Sequence, residues 1–230
     1  MLKAVIFDFD GVIADSEPLH YKAINAIVSR YDVSIPKDEY WGKYLGFNDV
    51  DCFKAISDDL QLGLDEQTIG GLVEEKFVIF EKFAKEESSI YDGVAGFIGK
   101  LRSNDIRVAI CSGALLADIE LMLEGSSLSD SFEVIVAADT EGLGKGKPFP
   151  DGYLLTLEKL NEMGDGSIEP KNCIVIEDSH WGLEAAAAAG MARVAVTNTY
   201  PADELVDCAD RVLARLGESS MNELEGLCTA

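Results

Sequence analysis

Apolar positions along the chain fall into two kinds of segment. Short unbroken runs rich in β-branched residues recur at 3–8 (KAVIFD), 107–111 (RVAIC), 132–138 (FEVIVAA), 172–176 (NCIVI) and 192–196 (ARVAV), each too short for a helix and read as a buried strand. Between the later runs lie 114–124, 151–163 and 180–191, whose alanines and leucines favour helix. Residues 221–230 read as a final helix or a frayed tail. Strand and helix in alternation predict an α/β core, a parallel sheet with helices on both faces.

Residues 16–89 break this rhythm. Segments 18–31 and 66–86 carry helical patterns and no strand pattern separates them, so the stretch reads as an inserted α-helical domain. The expected organisation is a core of residues 1–15 and 90–230 with a helical insert of residues 16–89. Its connections fall near Asp15–Glu17 and Ser88–Tyr91, on which the insert is expected to swing as a unit. A length of 230 residues suits one core fold with a smaller insertion.

Composition narrows the function classes. Apolar residues make up 47% of the chain, with no uninterrupted run long enough to cross a bilayer. The N-terminus opens on a strand pattern instead of a signal peptide, so a cytoplasmic protein is the expectation. Five cysteines are scattered with no Cys-x-x-Cys pair and read as reduced and structural. Forty-two acidic against nineteen basic residues leave a formal charge of −23, which repels nucleic acid and anionic membrane surfaces alike. An anionic substrate would therefore need a local cation.

In a parallel α/β sheet, functional side chains gather beyond the carboxyl ends of the strands. The first strand ends in Asp8 and Asp10, the second in Ser112 and Gly113, the third in Asp139, the fourth in Glu177 and Asp178. Lys145 and Lys147 lie between the last two. A single acidic residue there ordinarily caps the following helix. Several carboxylates converging on one edge demand a cation, and oxygen donors without histidine or thiolate select magnesium. Lys147 adds a second positive charge, and Ser112 with nearby N–H groups adds donors for phosphate oxygens. Two residues apart, Asp8 and Asp10 start on one face if strand geometry persists, so one can attack phosphorus while the other handles a proton. Gly11 would let the backbone turn sharply and approach a ligand. The set suits phosphoryl transfer on a small phosphorylated metabolite.

DFDGV from Asp8, the Ser112–Gly113 pair, KPFPD from Lys147 and EDSHWGLEAA from Glu177 resemble, in order and spacing, the four motifs of the haloacid dehalogenase superfamily of phosphohydrolases. The insert resembles the cap of the subgroup that includes β-phosphoglucomutase and phosphoglycolate phosphatase. The resemblance implies a Rossmann-like core, magnesium dependence and an aspartyl-phosphate intermediate. It makes Asp8 the nucleophile and Asp10 the general acid/base. Ser112, Gly113 and Lys147 become the phosphate-binding residues, and Asp8, Asp10 through its backbone carbonyl, Glu177 and Asp178 the metal site. True dehalogenases lack an aspartate at the place of Asp10, so dehalogenation is not expected.

The insert bears on substrate. DSEPLH (15–20) resembles the start of the cap in the mutase and in sugar-phosphate phosphatases, which singles out His20. Lys76, with an aromatic four residues later, matches a cap lysine of the family, although a lysine on a charged helical face is ordinarily solvated. Where the mutase clamps a second phosphate with an arginine, three residues after Gly46, this chain has Asp49, and a carboxylate cannot clamp a phosphate. The second-strand loop 112–118 also lacks the polar run of the mutase. The expected function is a magnesium-dependent phosphatase acting on a small phosphate monoester, a sugar phosphate or a phosphoglycolate-like molecule. The alternatives are a β-phosphoglucomutase-like sugar-phosphate mutase and a non-catalytic binding module, the latter disfavoured by the presence of both Asp8 and Asp10.

Overall fold

Six parallel strands form one sheet in the order β3-β2-β1-β4-β5-β6: β1 (Ala4–Phe7), β2 (Arg107–Cys111), β3 (Val134–Val136), β4 (Cys173–Glu177), β5 (Ala192–Val196) and β6 (Arg211–Leu213). The computed structural model describes residues 1–45, 47–87, 90–124, 126–164 and 168–228, so Gly46, Ser88 and Ser89 of the sequence analysis lie outside the described residues. The strand order is that of the doubly wound Rossmann-like fold, whose binding crevice opens where the order reverses, beyond the carboxyl ends of the central strands. Every residue of β1 and β4 is buried, as strands covered on both faces require.

Contacts divide the chain into two units, Met1–Asp15 with Ile90–Ala230, and Ser16–Ser89. In the sheet unit, helices α5 (Val94–Arg102), α6 (Leu116–Leu123), α7 (Asp151–Met163), α8 (His180–Ala188), α9 (Ala202–Leu205) and α10 (Met221–Leu227) connect or follow the strands. One face of the sheet, through Ile6 and Val175, joins Tyr153 and Leu157 of α7 and Ala185 and Ala186 of α8 in a single core. On β1, Phe7 meets Phe97 of α5 edge-on at 6.1 Å. The chain leaves and rejoins this unit side by side: Ala14 bridges Ile90, and the Tyr91 N–H donates to the Ile13 carbonyl at 2.9 Å.

The second unit consists of α1 (Glu17–Val28), α2 (Lys37–Lys43), α3 (Asp49–Asp59) and α4 (Glu66–Glu87). Ile24, Ile27, Phe53, Ile56 and Leu72 form its own core, flanked by a cluster of Tyr21, Tyr40 and Trp41. Asn48 accepts the Asp51 N–H at 2.9 Å and so fixes the start of α3. Among the described residues no helix is long and apolar enough to cross a membrane. All five cysteines are free, and Cys208 alone of them is not buried.

Candidate active site

The register of the two central strands brings the site together. Phe7 lies beside Ile176, and the Asp8 N–H extends the ladder by donating to the Ile176 carbonyl at 2.9 Å. Asp8 and Glu177 thus leave adjacent strands at the same level, with Asp178 one step further on. A carboxylate oxygen from each of Asp8, Glu177 and Asp178 lies within 4.8 Å of the others, all three residues being buried. No other such group occurs among the described residues.

Lys147 stands between two of them. Its ammonium donates to Asp8 Oδ1 at 2.6 Å and to Glu177 Oε1 at 2.5 Å. Glu177 also accepts the Tyr153 hydroxyl at 2.9 Å on Oε1, while its Oε2 takes the Asp178 N–H at 3.1 Å, the Ser179 N–H at 3.0 Å and the Ser179 hydroxyl at 2.8 Å. The Ser179 hydroxyl in turn accepts the Gly182 N–H at 3.2 Å and caps α8. A Cβ on Gly182 would come within 1.7 Å of Glu177 Oε1, so only glycine lets the first turn of α8 close over this carboxylate. Glu177 is a hub whose lone pairs are already taken by five donors from the chain.

The turn after β1 is built around Gly11. Its φ of +77° suits glycine, and a Cβ there would meet Asp178 Oδ2 at 1.8 Å. The Phe9 carbonyl accepts the Ile13 and Ala14 N–H groups, and the Gly11 N–H donates to the Ala14 carbonyl at 2.9 Å, folding the chain back within four residues. Asp10 stands in this turn, beyond the end of β1. Its carboxylate is not part of the buried trio, although it is near enough to act on Asp8.

Electrostatics reflect an excess of negative charge. Burial, opposed by Lys147 and reinforced by Glu177 and Asp10, pushes the Asp8 carboxyl up to about 7. Burial together with Glu177 and Asp8 holds Asp178 well above the usual carboxylate range. Burial works against the Lys147 charge, yet Asp8 and Glu177 outweigh it and raise that ammonium well above 10.5. Glu177 is lowered because Lys147, Ser179 and Tyr153 outweigh its own desolvation. Three carboxyls facing one ammonium, with oxygen donors only, fit a hard divalent cation.

Of the remaining expected site residues, Ser112 is buried just past β2, where its N–H donates to the Val136 carbonyl and its hydroxyl oxygen accepts the Ala114 N–H at 3.0 Å. Gly113 is exposed, and a Cβ there would meet open space, so chain packing does not demand a glycine. Asp139 does not join the acidic edge: its Oδ1 accepts the Leu116 N–H at the start of α6. This is a capping role, played on the helix that precedes β3 and not on the one that follows it. Lys145 is also outside the site, its ammonium lying 4.4 Å from the centre of the Phe149 ring.

In the helical unit, His20, Asp49 and Lys76 come together. Lys76, expected to be solvated, is instead 1% exposed, because its ammonium lies 2.7 Å from His20 Nδ1 and donates to Asp49 Oδ2 at 2.9 Å. The Phe80 ring stacks on His20 at 4.4 Å and lies 4.8 Å from the ammonium. Tyr153, Ser179, Asn198 and Thr199 were not singled out by the sequence reading. The last two sit just past β5, a strand end that the same edge rule would have searched.

This crevice, with an acidic trio and a lysine beyond a Rossmann-like sheet, defines a phosphoryl-transfer class, and comparison with known proteins identifies the family. The sequence profile described as haloacid dehalogenase-like hydrolase matches residues 2–190. A phosphorylated carbohydrates phosphatase of Thermotoga maritima is 30% identical over 194 residues, covering 84% of each chain. A solved structure of a CbbY variant from Rhodobacter sphaeroides, in complex with xylulose 1,5-bisphosphate, is 25% identical with a TM-score of 0.79, covering 95% of this chain and 96% of that one. A β-phosphoglucomutase structure from Clostridium difficile shares the fold with a TM-score of 0.82 at 24% identity, over 99% of this chain and 97% of that one. The chain belongs to the haloacid dehalogenase-like hydrolases and is an enzyme of their phosphohydrolase or phosphomutase type. Members of this superfamily generally use a divalent metal, and the acidic trio provides a place for one.

Proposed function

We propose that the protein is a cytoplasmic magnesium-dependent phosphatase that hydrolyses a small phosphate monoester, a sugar phosphate or phosphoglycolate-like molecule, through an aspartyl-phosphate on Asp8. The observation that carries this reading is the placement of the Lys147 ammonium on Asp8 Oδ1, with the Asp178 carboxylate in the same buried trio. A nucleophile, a cation for phosphoryl oxygens and a metal-binding carboxylate then share one crevice.

Asp8 attacks phosphorus, its bond to the leaving oxygen breaks, and Asp10 gives that oxygen a proton. Asp10 next takes a proton from water, whose oxygen attacks the same phosphorus, releasing phosphate and restoring the Asp8 carboxylate. Lys147 holds the transferring phosphoryl group, assisted by the Ser112 hydroxyl, which still has its proton to donate, and by the loop backbone at Gly113. Asp8, Asp178 and the Asp10 backbone carbonyl would hold magnesium, which supplies the positive charge that lets an ionised Asp8 meet a phosphate dianion. Glu177, expected in the metal site, completes it from the side: with its oxygens engaged by five donors of the chain, it sets Lys147 and braces the Asp178 turn.

The helical unit, residues 16–89, is assigned the role of cap and substrate selection through His20, Asp49 and Lys76. Its one fully buried lysine is neutralised by Asp49, which favours monophosphates over a substrate with a second phosphate. Phosphate release should be assayed with and without magnesium over phosphorylated sugars, phosphoglycolate and nucleotides. Efficient magnesium-dependent release from one small-monoester class supports the reading, and no release from any of them counts against it.

A further inference from the structure

The loop that follows β5 touches the site at two points. Thr199 Oγ1 donates a hydrogen bond to Asp178 Oδ2, and Asn198 Nδ2 donates to the Gly11 carbonyl at 2.7 Å. The same Thr199 oxygen would lie 2.9 Å from a Cβ on Gly11, so Gly11, Asp178 and Thr199 meet at one place. The loop is itself anchored at both ends. The Thr197 N–H donates to the Leu213 carbonyl at 3.1 Å, and the Tyr200 ring packs edge-on against His180 of α8 at 4.9 Å.

We infer that Asn198 and Thr199 are positioning residues that clamp the Asp10–Gly11 turn against Asp178 and fix which Asp178 oxygen faces the metal. With Oδ2 held by the Thr199 hydroxyl, Oδ1 is left to face the cation. Holding the Gly11 carbonyl aims the preceding peptide, which carries the Asp10 carbonyl. A free carboxylate could rotate about its χ2 axis, and a free turn could move the carbonyl away. The loop removes both freedoms before the ion arrives, as outer partners of metal ligands generally do. Glu177 meets Asp178 at its backbone N–H, so among the described residues the Thr199 hydrogen bond is the contact that acts on the side chain.

This inference rests on the metal-site reading above, and one experiment separates the two. Magnesium is titrated calorimetrically into the metal-free wild type, Thr199→Val, Thr199→Ser, Asn198→Ala and Asp178→Ala, with thermal unfolding of each metal-free protein measured alongside. Both loop side chains are exposed, so these variants should keep the fold. Thr199→Val should weaken magnesium binding about 10- to 100-fold, Thr199→Ser should restore it, and Asn198→Ala should weaken it in the same direction. If wild type binds and Asp178→Ala does not, but Thr199→Val binds like wild type, the clamp is refuted while the metal site stands. A lowered unfolding temperature with unchanged affinity would refute it equally, by giving the loop a purely structural role. If wild type binds no magnesium, both readings fall.

Discussion

Lys147 reaches Asp8 across 139 positions of sequence, and its ammonium is 2.6 Å from the Asp8 carboxylate and 2.5 Å from that of Glu177. One cation thus bridges two acids that the register of β1 and β4 brings together and offsets their repulsion. Removing it leaves buried carboxylates without a protein counter-charge. Lys147→Met should therefore cost about 3–5 kcal/mol in the metal-free protein. Added magnesium should recover part of that loss while turnover stays low. Denaturant unfolding with and without magnesium measures both, and a variant as stable as wild type without metal would show that the ion pair does not hold the site together.

The same charge excess underlies the proposed need for magnesium. Exhaustive chelation should abolish phosphate release and magnesium should restore it. Calcium should restore it poorly, since its looser coordination misplaces the nucleophile. Full activity in the chelated protein would remove the metal from the account.

Much of this was readable in advance for physical reasons. Strands such as β1 and β4, buried on both faces, must be unbroken apolar runs, and the acids at their ends stand out against that background. The short edge strand β6 carries only Val212 and Leu213 as apolar residues and is tied down by Arg211–Glu223 and Arg193–Asp210 pairs, which leave no apolar signature. Helix α5 buries Val94, Phe97, Ile98 and Leu101 at helical spacing, but Gly96 and Gly99 weaken its propensity, so tertiary packing decides it. Asp139 shows the limit of the edge rule. A strand-end acid can look identical in sequence whether it serves a ligand or caps a helix, and only its Leu116 contact separates the two. Lys76 shows the converse. Glu74 and Glu75 precede it, yet its helical neighbours Leu72, Val73, Ile79 and Phe80 are apolar, so periodicity marks a buried face, while nothing local marks the His20 and Asp49 partners that satisfy its charge there.

His20 gives a pH signature. Burial, and then the adjacent Lys76 ammonium, hold its imidazole well below the ordinary 6.5, so the folded protein keeps it neutral where the unfolded chain takes up a proton. Below that pH the unfolded state binds more protons, and stability falls as pH falls through about 6.5. His20→Gln, which cannot titrate, should lose less stability than wild type between about pH 7.5 and 5.5. Parallel melting curves in that window decide it, and identical slopes would mean that His20 takes up its proton as readily in the folded protein as in the unfolded chain.

The proposed role of Asp49 in substrate selection is tested by setting hydrolysis against isomerisation. Incubated with β-glucose 1-phosphate, a trace of the 1,6-bisphosphate and magnesium, the enzyme should release phosphate faster than it forms glucose 6-phosphate. Asp49→Arg should shift the ratio toward the bisphosphate by providing a cation suited to phosphate. Glucose 6-phosphate accumulating many times faster than phosphate in the wild type would make the protein a mutase. An unchanged ratio in the variant would remove Asp49 from substrate selection.

Asp8 is the residue proposed to take the phosphoryl group. During turnover of the best substrate in the panel, acid quenching and peptide mass mapping should find one phosphoryl group on Asp8. Asp8→Asn should lose both that label and several powers of ten in turnover while staying folded. Substantial magnesium-dependent turnover in Asp8→Asn, free of host phosphatase and with no label on the wild-type peptide, would contradict it.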